Sequence, residues 1–251
     1  MEYTPKQHVE IFHLLFLKQL EGKLNKNLYA LKGGANLRFF FKSIRYSEDI
    51  DFDTKTIAQD TLRKKITNLL KSKPFEQILY THGIEITHLS EAKQTNTTQR
   101  WKLNFQVKNS SVPLPTKIEF SRRTMAGKML FAPIDMDLIR TYQLYPTLIN
   151  HYTLEAACDQ KIMALISRAE TQARDVFDLK LLIDLKVNIK SIPFSIKIKE
   201  AIENTKSIGF SEFKSQVVAY LMPEYQEYYN SKHLWKDIQT QIIQALQTIQ
   251  P

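Results

Sequence analysis

The sequence predicts an α+β protein, an α/β half followed by an all-helical half. Three observations predict it. Apolar residues recur at intervals of three or four over residues 5–24. Runs of alternating polar and apolar residues then dominate as far as residue 120. From Thr153 onward every segment carries helical periodicity. The composition changes after Arg123, and "PIDMDLIRTYQLYP" reads as a connecting region with two prolines. The expected domains are therefore 1–130 and 131–251.

Each element follows from its local pattern. Ile11, Leu14, Leu17, Leu20 and Leu24 line one helix face. "NLYALKGG" is a short apolar strand that stops at Gly33-Gly34, and "ANLRFFFKS" resumes a helical pattern. "DIDFD" alternates acidic and apolar residues, as a strand does. Residues 56–73 read as a helix ended by Pro74. Strands are expected around "EQILY", "GIEITHL", "RWKLNFQVK" and "TKIEFS", with residues 90–98 as a polar hairpin loop. The helical half divides into 154–168, 174–185, 195–206, 209–221 and 233–248. Thr153 suits the N-cap of the first of these, and Glu155 suits its first turn.

Composition narrows the function classes. The chain has 251 residues, 43% of them hydrophobic, which is enough to build a sizeable core. The formal net charge of +9 fits a polyanionic partner, although a merely basic soluble protein has the same charge. A single cysteine, Cys158, excludes an intramolecular disulfide framework and reads as a core residue. The six histidines show no metal-ligand spacing, which argues against structural zinc. The chain shows no signal-peptide pattern, and no apolar run reaches the about 18 residues a membrane span requires. A cytoplasmic location is the expectation.

The chemistry concentrates in "LKGGANLRFFFKSIRYSEDIDFD" and "KIEFS". On a strand, Asp49, Asp51 and Asp53 share one face while Ile50 and Phe52 take the other. Glu119 likewise opposes Ile118 and Phe120, and it joins the aspartates if the two strands are neighbours. Carboxylates at that density suit Mg²⁺ or Mn²⁺ better than zinc, although a solvated sheet edge has the same pattern. A glycine pair between a strand and a helix lets backbone N–H groups approach phosphate. Alone, it is simply a tight turn.

Together, Gly33-Gly34, Asp49-x-Asp51 and Glu119 resemble the nucleotidyltransferase superfamily built on the DNA polymerase β fold. The longer stretch is similar to the AbiEii-type toxins, which include the MenT group. There a Lys-Gly-Gly-Thr/Ser-x-Leu-Arg segment leads to Arg-x-Ser-x-Asp-Ile/Leu-Asp-Phe. Ala35 stands where that pattern has Ser or Thr, so a hydroxyl contact to phosphate is missing. "DQKIMALISRAETQARDVFDLKLL" resembles the family's later motifs at Lys161, Arg174, Asp175 and Asp178. The match runs from about residue 30 to 182 and is weak between 53 and 117.

The resemblance implies a polymerase β-like domain with a mixed sheet, followed by a C-terminal helical domain. It implies transfer of a nucleoside monophosphate from a nucleoside triphosphate to an acceptor hydroxyl. Asp49, Asp51 and Glu119 are the implied ligands of Mg²⁺ (or Mn²⁺), and Glu119 also helps to activate the hydroxyl. Lys32, Gly33 and Gly34 border the phosphates. Lys161 neutralises the triphosphate, and Asp175 orders the nucleotide or Lys161. The acceptor implied is the 3′ end of tRNA, with the chain as toxin of a toxin–antitoxin pair and an antitoxin protein as partner. The alternatives are a catalytically silent nucleotide- or RNA-binding module, and a transferase acting on protein or a small molecule. Arg38 and Arg45 are further candidates for phosphate contact, and Arg122-Arg123 for contact with an RNA backbone. Trp101 and Phe105 read as core. Asp178 reads as half of an exposed i, i+4 pair with Arg174.

Overall fold

A computed structural model describes residues 3–108, 110, 112–123, 125–168, 170–189 and 197–249. The chain divides into two compact units, residues 1–42 with 46–152 and residues 43–45 with 153–251.

The first unit opens with α1 (Pro5–Glu21). Its start is fixed by a capping box between Thr4 and Gln7, with Pro5 in the first turn. Residues 10–17 are buried all the way round, so this helix belongs to the core and is not a surface amphipath. Next come β1 (Tyr29–Lys32), α2 (Gly33–Phe40), β2 (Ile50–Thr54), α3 (Gln59–Leu70) and α4 (Lys73–Thr81). The strands β3 (Ile84–Gln94), β4 (Thr98–Val107), β5 (Leu114–Ser121) and β6 (Met129–Pro133) follow, then α5 (Met136–Thr141) and β7 (Leu148–Tyr152).

The strands form one seven-stranded sheet in the order β3-β4-β5-β2-β1-β7-β6. It is mixed: β2 runs parallel to β5 and β1 parallel to β7, while β1/β2, β3/β4, β4/β5 and β6/β7 are antiparallel. Ile50, Phe52, Trp101, Leu103, Phe105, Ile118 and Phe120 are buried on one face. There Phe12 of α1 stacks on Phe105 and Phe52 on Phe120, with ring centroids 5.3 and 4.6 Å apart. Trp101 donates its Nε1–H to Thr67 of α3 at 3.0 Å, which places α3 on the same face. Trp101 and Phe105 are thus core residues.

The second unit contains α6 (Leu154–Ser167), α7 (Ala173–Asp184), α8 (Ile198–Ser207), α9 (Phe210–Gln216), α10 (Pro223–Tyr229) and α11 (Lys232–Gln247). Thr153 caps α6 by accepting from the Ala156 N–H, and Glu155 sits in its first turn. Trp235 stacks on Phe213 at 4.3 Å and donates to the Ile208 carbonyl at 3.1 Å. Residues 43–45 join this unit through a bridge between Arg45 and Leu221 and a bond from the Met222 N–H to the Ile44 carbonyl. Cys158 is buried, and its thiol is pushed up to about 12 by burial and by Asp159 and Glu155.

Some expectations change. "EQILY" lies in α4, not in a strand. Pro74 does not end the preceding helix; it starts α4, where Ser72 accepts from the Phe75 N–H. The hairpin loop shrinks because β3 runs on to Gln94. The supposed connecting region carries α5 and is flanked by β6 and β7. Since β7 pairs with β1, a boundary at 130 would strip two strands from the sheet, and the first unit runs on to Tyr152. The start of the helix expected over 195–206 lies outside the described residues. Among the described residues no helix is long and apolar enough to cross a membrane.

Candidate active site

The local sequence around β1 and α2 forces a close approach. Gly33 adopts φ +70°, in the left-handed region where a Cβ is strained, and begins α2. A Cβ at Gly33 would stand 3.3 Å from the Asp51 Oδ2. Glycine therefore lets the backbone at the helix start lie against that carboxylate. Lys32 precedes it as N-cap and supplies no side-chain bond to the helix N–H groups.

Strand register assembles the charged groups on the sheet face opposite the core. Lys32 on β1 lies opposite Asp51 on β2, Asp51 lies beside Glu119 on β5, and Glu119 lies opposite Arg100 on β4. Asp49 just precedes β2. The two carboxylates flanking Asp51 each have a cation: Lys117 reaches Asp49 at 2.5 Å and Arg100 reaches Glu119 at 2.6 Å. Asp51 has no ion pair among the described residues. Burial pushes its carboxyl above the ordinary value, and repulsion from Asp49 and Glu119 adds to this against the pull of Lys117 and Lys32. Asp53 is buried. It takes Lys32 at 2.5 Å on Oδ1 and the Tyr152 hydroxyl at 2.8 Å on Oδ2. Among the described residues no three acidic, histidine or cysteine side chains are disposed as a metal-ligand group. Lys117 and Arg100 occupy the positions of counter-ions to two of the acids.

The second unit brings Lys161 and Asp175 together in a buried ion-pair network. Lys161, 8% exposed, reaches Asp175 at 2.8 Å and Asp178 at 2.6 Å. Arg45 forks onto both oxygens of Asp178 at 3.0 Å, and the Arg168 Nε lies 3.2 Å from Asp175. Asp178 is therefore not half of an exposed pair, because it is fully buried between Arg45 and Lys161. Burial pushes its carboxyl up, but those two cations outweigh burial and hold it below the ordinary range.

Arg38 and Arg122 also have structural partners, whereas Arg123 is exposed. Arg38 is buried and bonds Glu10 at 2.7 and 3.1 Å, and the Tyr142 hydroxyl donates to the same Glu10. Arg122 donates to the Ile57 carbonyl and to Gln99. Ala35 is buried in the core, so a hydroxyl at that position would enter packing and not an open surface. The roles of Arg100, Lys117 and Tyr152 were missed in the sequence. The alternation of "RWKLNF" and "TKIEFS" put Arg100 and Lys117 on the carboxylate face, but only strand order made them neighbours of Glu119 and Asp49.

The fold is shared with solved structures that include a nucleotidyltransferase toxin. JHP933 from Helicobacter pylori is 18% identical, with a TM-score of 0.63 over 98% of this chain and 95% of that one. MenT4, a nucleotidyltransferase toxin from Mycobacterium tuberculosis, is 14% identical, with a TM-score of 0.67 over 98% and 86%. No curated protein sequence matches significantly. The family model for the nucleotidyl transferase AbiEii toxin, of type IV toxin–antitoxin systems, matches residues 15–229. The chain belongs to the AbiEii nucleotidyltransferase toxin family.

Proposed function

We propose that the chain transfers a nucleoside monophosphate from a nucleoside triphosphate to an acceptor hydroxyl, with the 3′ end of tRNA as acceptor. The acceptor oxygen bonds to the α-phosphorus, the bond to the bridging oxygen of the β-phosphate breaks, and pyrophosphate leaves with that electron pair. One observation carries this reading: the glycine start of α2 lies against Asp51, which stands in register between Lys32 and Glu119. That arrangement sets backbone N–H groups for phosphate beside carboxylates for the reacting end.

The donor atoms are of the kind a hard divalent cation takes, with Lys117 and Arg100 holding Asp49 and Glu119 in this arrangement. Asp49, Asp51 and Glu119 supply only carboxylate oxygens, and a cation there would offset both the burial that chiefly raises Asp51 and the repulsion from Asp49 and Glu119 that adds to it. These three residues would hold Mg²⁺ or Mn²⁺, which would stabilise charge on the attacking and leaving oxygens. Glu119 orients the acceptor hydroxyl, and its proton passes to a carboxylate of the site. Lys32, held by Asp53, Gly33 and Gly34 border the phosphates. Within the second unit, the 2.8 Å bond from Lys161 to Asp175 supports the view that Asp175 orders the lysine.

The basic excess of the chain supports a nucleic-acid acceptor. An antitoxin encoded with it would suppress the activity, and location in the cytoplasm follows from an RNA substrate. The test is incubation with each labelled nucleoside triphosphate, Mg²⁺ or Mn²⁺ and total RNA. Label is expected on RNA with the parent chain and absent with Asp49→Asn plus Asp51→Asn. No transfer to RNA, protein or small acceptors with any nucleotide would overturn the reading.

A further inference from the structure

The sheet face that carries Asp51 continues beyond it as a basic surface. Glu119 on β5 lies opposite Arg100 on β4, and Arg100 lies opposite Lys93 on β3. Two residue pairs along, Lys117 on β5 lies opposite Lys102 on β4, and Lys102 opposite Ser90. Directly paired residues of neighbouring strands point to the same side, and the opposite side of β4 and β5 is the buried core. Lys93 and Lys102 are exposed and have no ion pair among the described residues. Like charges directly opposite each other, as at Lys102 and Lys117, weaken a sheet. Lys117 is partly neutralised by Asp49, whereas Lys102 has no anion.

We infer that this face of β3, β4 and β5 docks the sugar–phosphate backbone of a single-stranded nucleic-acid acceptor, guiding its end toward Asp51 and Glu119. The inference deepens the transferase reading and rests on it for the direction of the strand. The charge order selects the partner. The surface passes from free cations at Lys93 and Lys102, through the paired cations Arg100 and Lys117, to carboxylates. Its complement has regularly spaced anions and an uncharged reacting terminus. A nucleic acid ending in a hydroxyl has that pattern, and a cationic track along the backbone is how single strands are bound without sequence preference. An acidic peptide would instead carry carboxylates against Asp51 and Glu119.

The experiment measures binding of a short fluorescent single-stranded RNA with a free 3′ hydroxyl by anisotropy, across a salt series, using the full chain. Lys93→Ala plus Lys102→Ala is compared with Lys64→Ala plus Lys73→Ala, which changes the same charge on the helices of the opposite face. The first pair is expected to raise Kd several-fold and to flatten the log–log salt slope by about 1.4, the value for two lost phosphate contacts. The second pair is expected to leave both near the parent values. Equal losses in the two pairs, or no loss in the first, would overturn the inference. Equally tight, Lys93- and Lys102-dependent binding of an oligoglutamate peptide would overturn the assignment to nucleic acid. Should the alanine pair lose its circular-dichroism signature, Lys93→Gln plus Lys102→Gln takes its place. Binding is read without transfer: lysine-dependent binding without labelling defeats only the enzyme reading. Labelling unaffected by the lysine pair defeats only this inference.

Discussion

At the scale of single residues, Asp51 and Ala35 carry opposite lessons. Asp51 is a carboxylate raised above its ordinary value by burial and by Asp49 and Glu119. A carboxylate with a raised folded value costs stability above that value, and the cost disappears as pH falls through it. Asp51→Asn is therefore expected to raise the melting temperature at neutral pH, by an amount that vanishes in acid. Mg²⁺ or Mn²⁺ is expected to stabilise the parent and not the variant. Equal metal-induced shifts in both would reject Asp51 as a ligand. Ala35 lies in the core of the first unit. Ala35→Ser buries a hydroxyl, which costs about 1–3 kcal/mol when it goes unbonded. It is expected to lower the melting temperature without increasing nucleotide transfer, and a gain in transfer would show the hydroxyl reaching the phosphates.

At the scale of elements, α6 and α7 are tied to residues 43–45 by charge. Lys161 from α6 and Arg45 converge on Asp178 of α7, and Lys161 also holds Asp175. Removing one partner from a buried pair leaves an uncompensated charge, at a cost of about 3–5 kcal/mol. Lys161→Ala is thus expected to lower stability substantially as well as nucleotide affinity. A lysine that only met phosphate would leave stability almost unchanged. Lys161→Met, which keeps the volume, separates lost packing from lost charge in a denaturant titration. The pH dependence has a definite sign. Asp178 is held below its ordinary value, so its contribution is present above 3.8 and is lost as pH falls through the depressed folded value. The stability gap between the parent and Asp178→Asn is expected to be widest at neutral pH and to narrow in acid. A constant gap would show that the Asp178 charge contributes nothing.

At the scale of the whole molecule, family membership predicts a toxic activity that depends on the acidic site. Expression of the parent is expected to inhibit growth of a host cell, and Asp49→Asn plus Asp51→Asn to abolish inhibition while folding persists. The double change also removes two negative charges near Lys117 and Lys32. RNA affinity is therefore expected to persist or rise, which gel-shift titration checks. A variant that loses toxicity, RNA binding and its melting transition together would show only unfolding.

Local pattern determined much of this protein. The alternation at Ile50, Asp51 and Phe52, the glycine turn at Gly33, the Thr153 cap and the burial of Trp101 and Cys158 all follow from side-chain period and backbone freedom, which are properties of neighbouring residues. The acids and glycines of the candidate site were legible for the same reason. Strand order was not, because pairing β5 beside β2 and β7 beside β1 depends on contacts between residues far apart in sequence. Tertiary structure alone made Arg100 and Lys117 the counter-ions of Glu119 and Asp49, gave Asp178 to Arg45 and Lys161, and took Arg38 from the phosphate site to Glu10. An ionised side chain takes the partner that desolvation leaves nearest, and only the packed fold decides which one that is.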